Sequence, residues 1–100
     1  MKFMLVFLAE TDMHGEIPMH EAIIRRLSQG DVHGATVLRG IMGFGAQHKV
    51  HRQRLFGVSD DRPVVIVVGD EESRLRAVIP SVRALVPDAP IFLMDAEMVR

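Results

Sequence analysis

The chain has no cysteine, and that excludes a disulfide framework, a thiolate nucleophile and thiolate metal sites. It has no surplus of either charge. With 12 Lys and Arg against 13 Asp and Glu, no net field draws it to nucleic acid or to anionic lipid. Aromatic residues are only 5% of the sequence, and Phe56 is the one that accompanies the basic stretch near the middle, which gives little platform for stacking single-stranded bases. No apolar run approaches the roughly 18 residues that cross a bilayer, so direct membrane insertion is not expected. A soluble, cytoplasmic protein without nucleic-acid partners is the expectation.

Lys2 followed by the apolar run Phe3 to Ala9 has the outline of a secretory leader. Acidic Glu10 and Asp12 end that run and no small-residue cleavage pattern follows, so it reads instead as a buried first strand. A length of 100 residues holds one domain with a single core, too small for separate cofactor and substrate domains. Any site is then a surface cleft or lies between subunits. An apolar content of 48% is high for so short a chain and points to an oligomer.

Thr11 to Glu16 read as a polar loop, and Pro18 sits where a first helical turn tolerates it. Met19, Ile23 and Leu27 recur at four-residue spacing beside Ala22, with His20, Glu21, Arg25 and Arg26 on the remaining surface, which predicts an amphipathic helix stopping near Gly30. A second strand is expected over Ala35 to Leu38, with a bulge where it meets glycines. Pro63 to Val68, dense in β-branched residues and closed by Gly69, is the strongest strand signal. Asp70 then offers an N-cap, and Leu75, Val78, Ile79, Val82, Leu85 and Val86 trace one helical stripe. Pro80 falls inside it at a cost of about 3 kcal/mol in a regular helix, which predicts a kink or two short helices. Ile91 to Met94 read as a last strand. Val50, Leu55, Phe56 and Val58 suggest a short hairpin arm within 46–62.

Strand, helix, strand, strand, helix, strand is the order of an α+β ferredoxin-like βαββαβ sandwich: an antiparallel four-stranded sheet with both helices on one face. The other sheet face lacks a helical cover, which gives oligomerisation a physical motive.

The most informative stretch is Gly34-Ala35-Thr36-Val37-Leu38-Arg39-Gly40-Ile41-Met42-Gly43-Phe44-Gly45, where a β-branched run passes into three glycines within six residues. Gly40, Gly43 and Gly45 can form a backbone cradle for an anion or a bulged bend at a subunit contact. The spacing is neither a Walker loop nor a dinucleotide fingerprint. Arg39 can pair bidentately with phosphate or carboxylate, or make an ion pair between subunits. Lys49, Arg52 and Arg54, with His48 and His51, form a basic loop that is either solvated or meets an acidic partner or ligand. His48-x-x-His51 and the cluster Glu10, Asp12 and His14 carry metal-donor atoms, against a reading as solvated histidines and helix-capping or arginine-paired carboxylates. No serine stands in a catalytic motif and no nucleophile accompanies the carboxylates, so a non-enzymatic protein is expected.

Glu10-x-Asp12, Gly15 and Pro18, Glu21-Ala22-Ile23, the Gly34 to Gly45 motif and Pro63-Val64-Val65-Ile66 resemble the DUF190 family over nearly the whole chain. The resemblance implies a single domain over 1–100, similar to the PII signal-transduction proteins: a homotrimer of ferredoxin-like subunits, with nucleotide held in clefts between subunits and a long loop reaching a target protein. Thr36-Val37 and Gly43-Phe44-Gly45, with Gln47 two residues on, match the PII pattern with one extra residue between the parts. Taken with the chemistry of Arg39 and Gly40, the resemblance implies a ligand site of Thr36, Arg39, Gly40, Gly43, Phe44, Gly45 and Gln47, a small anionic ligand such as an adenine nucleotide, and 46–62 as the loop toward a partner such as a membrane transport protein. PII proteins carry a phosphate segment with glycine and lysine before the last strand, whereas Val86-Pro87-Asp88-Ala89-Pro90 has neither. Two alternatives stand beside this reading. One is a trimeric metal-binding protein like the divalent-cation tolerance proteins, using His48 and His51 with Glu10, Asp12 or His14; the other is an oligomerising adaptor without a ligand.

Overall fold

The computed structural model describes residues 1–43 and 62–100. Strand β1 (Lys2–Ala9) leads into a small hairpin, β2 (Met13–His14) and β3 (Ile17–Pro18), then helix α1 (Met19–Ser28) and strand β4 (Thr36–Arg39). Strand β5 (Pro63–Asp70), helix α2 (Glu72–Leu85) and strand β6 (Ile91–Asp95) complete the chain. The main sheet runs β4-β5-β1-β6 with every neighbouring pair antiparallel, which is the ferredoxin-like order.

Alternation along the strands makes one face of that sheet the core. Met4, Val6 and Leu8 from β1 and Val64, Ile66 and Val68 from β5 are buried with Ile23 and Leu27 of α1 and Leu75, Val78 and Val82 of α2. Both helices therefore cover the same face. Ile23, Ile66 and Leu75 are 0% exposed, so truncating any one to alanine costs about 2–5 kcal/mol. The intervening residues face the other way. Phe3 and Phe7 of β1, Phe92 and Met94 of β6 and Leu38 of β4 are all exposed on the uncovered face, where Phe7 and Phe92 meet edge to face at 5.7 Å.

Three expectations need correcting. Residues 11–16 are not simply a polar loop: Met13 pairs with Pro18 and His14 with Ile17, around a turn whose first residue, Gly15, has φ +63°. Two-residue hairpin turns require that positive φ, which glycine adopts without strain. Helix α2 runs unbroken through Pro80 rather than as two short helices. The carbonyl that loses its partner is that of Arg76, and Arg76, Ala77 and Pro80 are exposed, so this side of the helix is open to solvent while Leu75, Val78 and Val82 keep the helix docked. Asp70 is the last residue of β5 and its carboxylate accepts the N–H of Glu71, which itself takes the cap position. The hairpin arm expected from Val50, Leu55, Phe56 and Val58 lies outside the described residues.

Candidate functional site

β1 and β4 each run antiparallel to β5, so their C-terminal ends emerge at the same end of the sheet, beside the start of β5. That end gathers Glu10, Arg39, Gly40, Gly43, Arg62 and Pro63, and the connection 44–61 starts and finishes there. Position 10 is pinned: the Glu10 N–H donates to the Arg62 carbonyl at 2.7 Å. The preceding turn is closed by Asp12, whose N–H donates to the Ala9 carbonyl at 3.0 Å while its carboxylate accepts the Ala9 N–H at 3.1 Å. Position 39 is pinned as well. Its register partner is Val64, and the next residue, Gly40, donates its N–H to the Pro63 carbonyl at 2.7 Å.

Between these two positions the Arg39 guanidinium reaches across β5 and donates to the Glu10 carboxylate. Arg39 remains 60% exposed and Glu10 26%, so the pair lies in high dielectric and contributes only about 0–1 kcal/mol. Its importance is positional. It sets a planar five-donor cation at the base of the longest connection in the chain.

The glycines at this end serve close approach. A Cβ on Gly40 would stand 2.6 Å from Pro63 Cγ, and one on Gly43 3.2 Å from the same atom. Strand β4 ends at Arg39 rather than continuing through a bulge, and the chain then folds closely over the Pro63 ring. Gly45 lies outside the described residues, as do Phe44, Gln47, His48, Lys49, His51, Arg52 and Arg54.

Thr36 is not brought to this cluster. It lies three positions from Arg39 and in register with Val67, on the uncovered face, whereas Arg39 is in register with the core residue Val64. Thr36 lines a groove of about 570 Å3 toward the opposite end of the sheet, together with Phe3, His33, Gly69 and Met98. Nearby, Asp70 is 3% exposed, and its carboxylate accepts the His33 N–H at 2.9 Å and the Glu71 N–H at 2.7 Å. The Arg74 guanidinium lies 3.4 Å away and His33 Nδ1 3.2 Å away. Burial alone pushes this carboxyl up, but the two backbone N–H groups, the His33 ring and Arg74 together outweigh it and hold Asp70 below its ordinary value. Asp70 therefore clips the α1–β4 connection to β5.

Among the described residues, no group of three or more His, Asp or Glu side chains is gathered closely enough to hold a metal ion. Glu10 turns to Arg39, Asp12 closes its turn, and His14 is exposed on the small hairpin. The Glu10–Arg39 pairing is legible only once both strand ends are placed at one end of the sheet, because the partners lie 29 positions apart in sequence. The Asp70 clip had no local signal beyond an acid at a strand end.

The structure superposes on that of CPII from Thiomonas intermedia K12, bound to ADP, AMP and acetate, with a TM-score of 0.68 at 16% identity, covering 99% of this chain and 88% of that one. The fold is thus that of the PII-like proteins. In sequence, a UPF0166 protein of Aquifex aeolicus (strain VF5) is 26% identical over 98 residues, covering 98% of this chain and 92% of the relative. A UPF0166 protein of Methanocaldococcus jannaschii is 29% identical over 94 residues, covering 93% of this chain and 85% of the relative. The family model described as DUF190, Uncharacterized ACR, COG1993, matches residues 1–98, and the chain belongs to that family.

Proposed function

We propose that this chain is a non-enzymatic, PII-like regulatory protein that assembles as a homotrimer and binds an adenine nucleotide or a related anion in clefts between subunits. Arg39 anchors the ligand's phosphate, with the backbone from Gly40 to Gly45 and Gln47 alongside. The connection 46–62, with His48, Lys49, His51, Arg52 and Arg54, carries the bound state to a partner protein, for which a membrane transport protein is the class the family resemblance implies.

The observation that carries this reading is the position of Arg39: an exposed guanidinium on a pinned backbone, where the connection leaves an edge strand. Support for assembly comes from the uncovered face, where Phe3, Phe7, Leu38, Phe92 and Met94 are exposed side by side on one sheet. An apolar surface of that kind is costly to leave in water. The nucleotides bound in the solved structure of similar fold supply the first probes.

Light scattering on the purified chain, together with thermal unfolding in the presence of AMP, ADP or ATP, tests both halves. The expected outcome is a mass of three chains and a nucleotide-dependent rise in melting temperature. A monomer whose melting ignores all three nucleotides contradicts the proposal. A trimer that ignores them favours the adaptor reading.

A further inference from the structure

Among the described residues, the Glu10–Arg39 pair differs from the other exposed ion pairs: Lys2 and Asp95 are facing positions on the adjacent strands β1 and β6. Glu21–Arg25 and Glu72–Arg76 are neighbours one helical turn apart, of the kind any surface helix carries. Glu10 and Arg39 instead come from two strand ends with β5 between them, and hydrogen bonds to Arg62 and Pro63 pin both backbones. The contact thus places a carboxylate of the protein where an incoming anion would bind the guanidinium.

We propose that Glu10 is a built-in competitor for the anion site: it occupies Arg39 when the cleft is empty and yields it only to a phosphate-type anion carrying more than one negative charge. The inference rests on the reading of Arg39 as the anion anchor. A monocarboxylate displacing Glu10 exchanges one carboxylate for another on the same cation, and it also gives up its free motion in solution. It gains nothing from the exchange. A phosphate group with a charge of about −1.5 to −2 and three acceptor oxygens gains more from the guanidinium than Glu10 gives up. The exposure of Arg39 and the partial exposure of Glu10 keep the pair weak enough to open. Glu10 therefore lowers the affinity for all anions and leaves usable affinity only to the more highly charged ones.

The test is calorimetric titration of AMP into the wild-type chain, Glu10→Gln, Glu10→Ala, Arg39→Gln and the double variant Glu10→Gln/Arg39→Gln. Acetate at matched ionic strength serves as competitor. Both Glu10 variants are expected to bind AMP about two- to fivefold more tightly than wild type, the size of an exposed ion pair. That gain should vanish in the Arg39→Gln background, and acetate should leave wild-type AMP binding unchanged. AMP affinity that is equal or lower in the Glu10 variants, while Arg39→Gln still weakens binding, overturns the competitor role and leaves the anchor role standing. A gain that persists without Arg39 also overturns it, since Glu10 would then act as a distant charge. Acetate displacing AMP from wild type contradicts the charge threshold. Absence of AMP binding in every variant sinks the competitor and the anchor together, whereas binding only in the Glu10 variants supports the competitor role in its strongest form.

Discussion

A methyl group at position 40 would stand 2.6 Å from Pro63 Cγ and 3.3 Å from the Pro63 carbonyl oxygen, and neither a proline ring nor a paired backbone can move far aside. Gly40→Ala is therefore expected to destabilise the fold by about 1–3 kcal/mol in urea denaturation. Gly43→Ala, whose added carbon would meet the same ring at 3.2 Å, should cost less. Equal costs at the two positions would show that contact with Pro63 is not what selects glycine there. Asp70 makes the second prediction at this scale. Its folded value is depressed, so the stability it contributes is fully present above its unfolded value, about pH 4, and is lost as pH falls through the lower folded value. Asp70→Asn should destabilise the protein at neutral pH, by about 1–3 kcal/mol, and flatten the acid limb of the stability profile. Melting curves from about pH 7 down to pH 2 check this; an unchanged acid limb would remove Asp70 as its source.

At the scale of elements, β-branched runs and helical stripes revealed the four main strands and both helices because their signal is local. Met19, Ile23 and Leu27 mark α1, and Val64 to Val68 mark β5, without reference to any other part of the chain. The hairpin at Met13–Pro18 escaped because two-residue strands have no periodicity, and only Gly15 marked the turn. Pro80 does not divide α2 into two helices, because this proline faces water. Pro80→Ala is accordingly expected to stabilise α2 by about 1–3 kcal/mol, by restoring one backbone bond and removing ring strain. Loss of stability instead would mean that the proline's restriction of the unfolded chain outweighs the bond. The candidate site was the least legible part. Arg39 and Glu10 were each recognisable as chemistry, but β5 had to be placed between their strands before the two could meet.

At the scale of the whole molecule, the uncovered sheet face and the Arg39 end of the sheet meet along β4, with Leu38 on one side and Arg39 on the other. Assembly through that face would put an apolar contact beside the proposed anion site of each chain. Phe92→Asp, which places a charge on the uncovered face without touching the core, should dissociate the proposed trimer while leaving the circular dichroism of the fold intact. A trimer that survives the substitution would mean that subunits meet elsewhere. The most direct test of the central claim is a calorimetric titration of ADP into the wild-type protein and Arg39→Gln. Saturable binding with one site per chain, weakened about tenfold or more by the substitution, is the predicted result. No binding in wild type, or the same affinity in both, would contradict it.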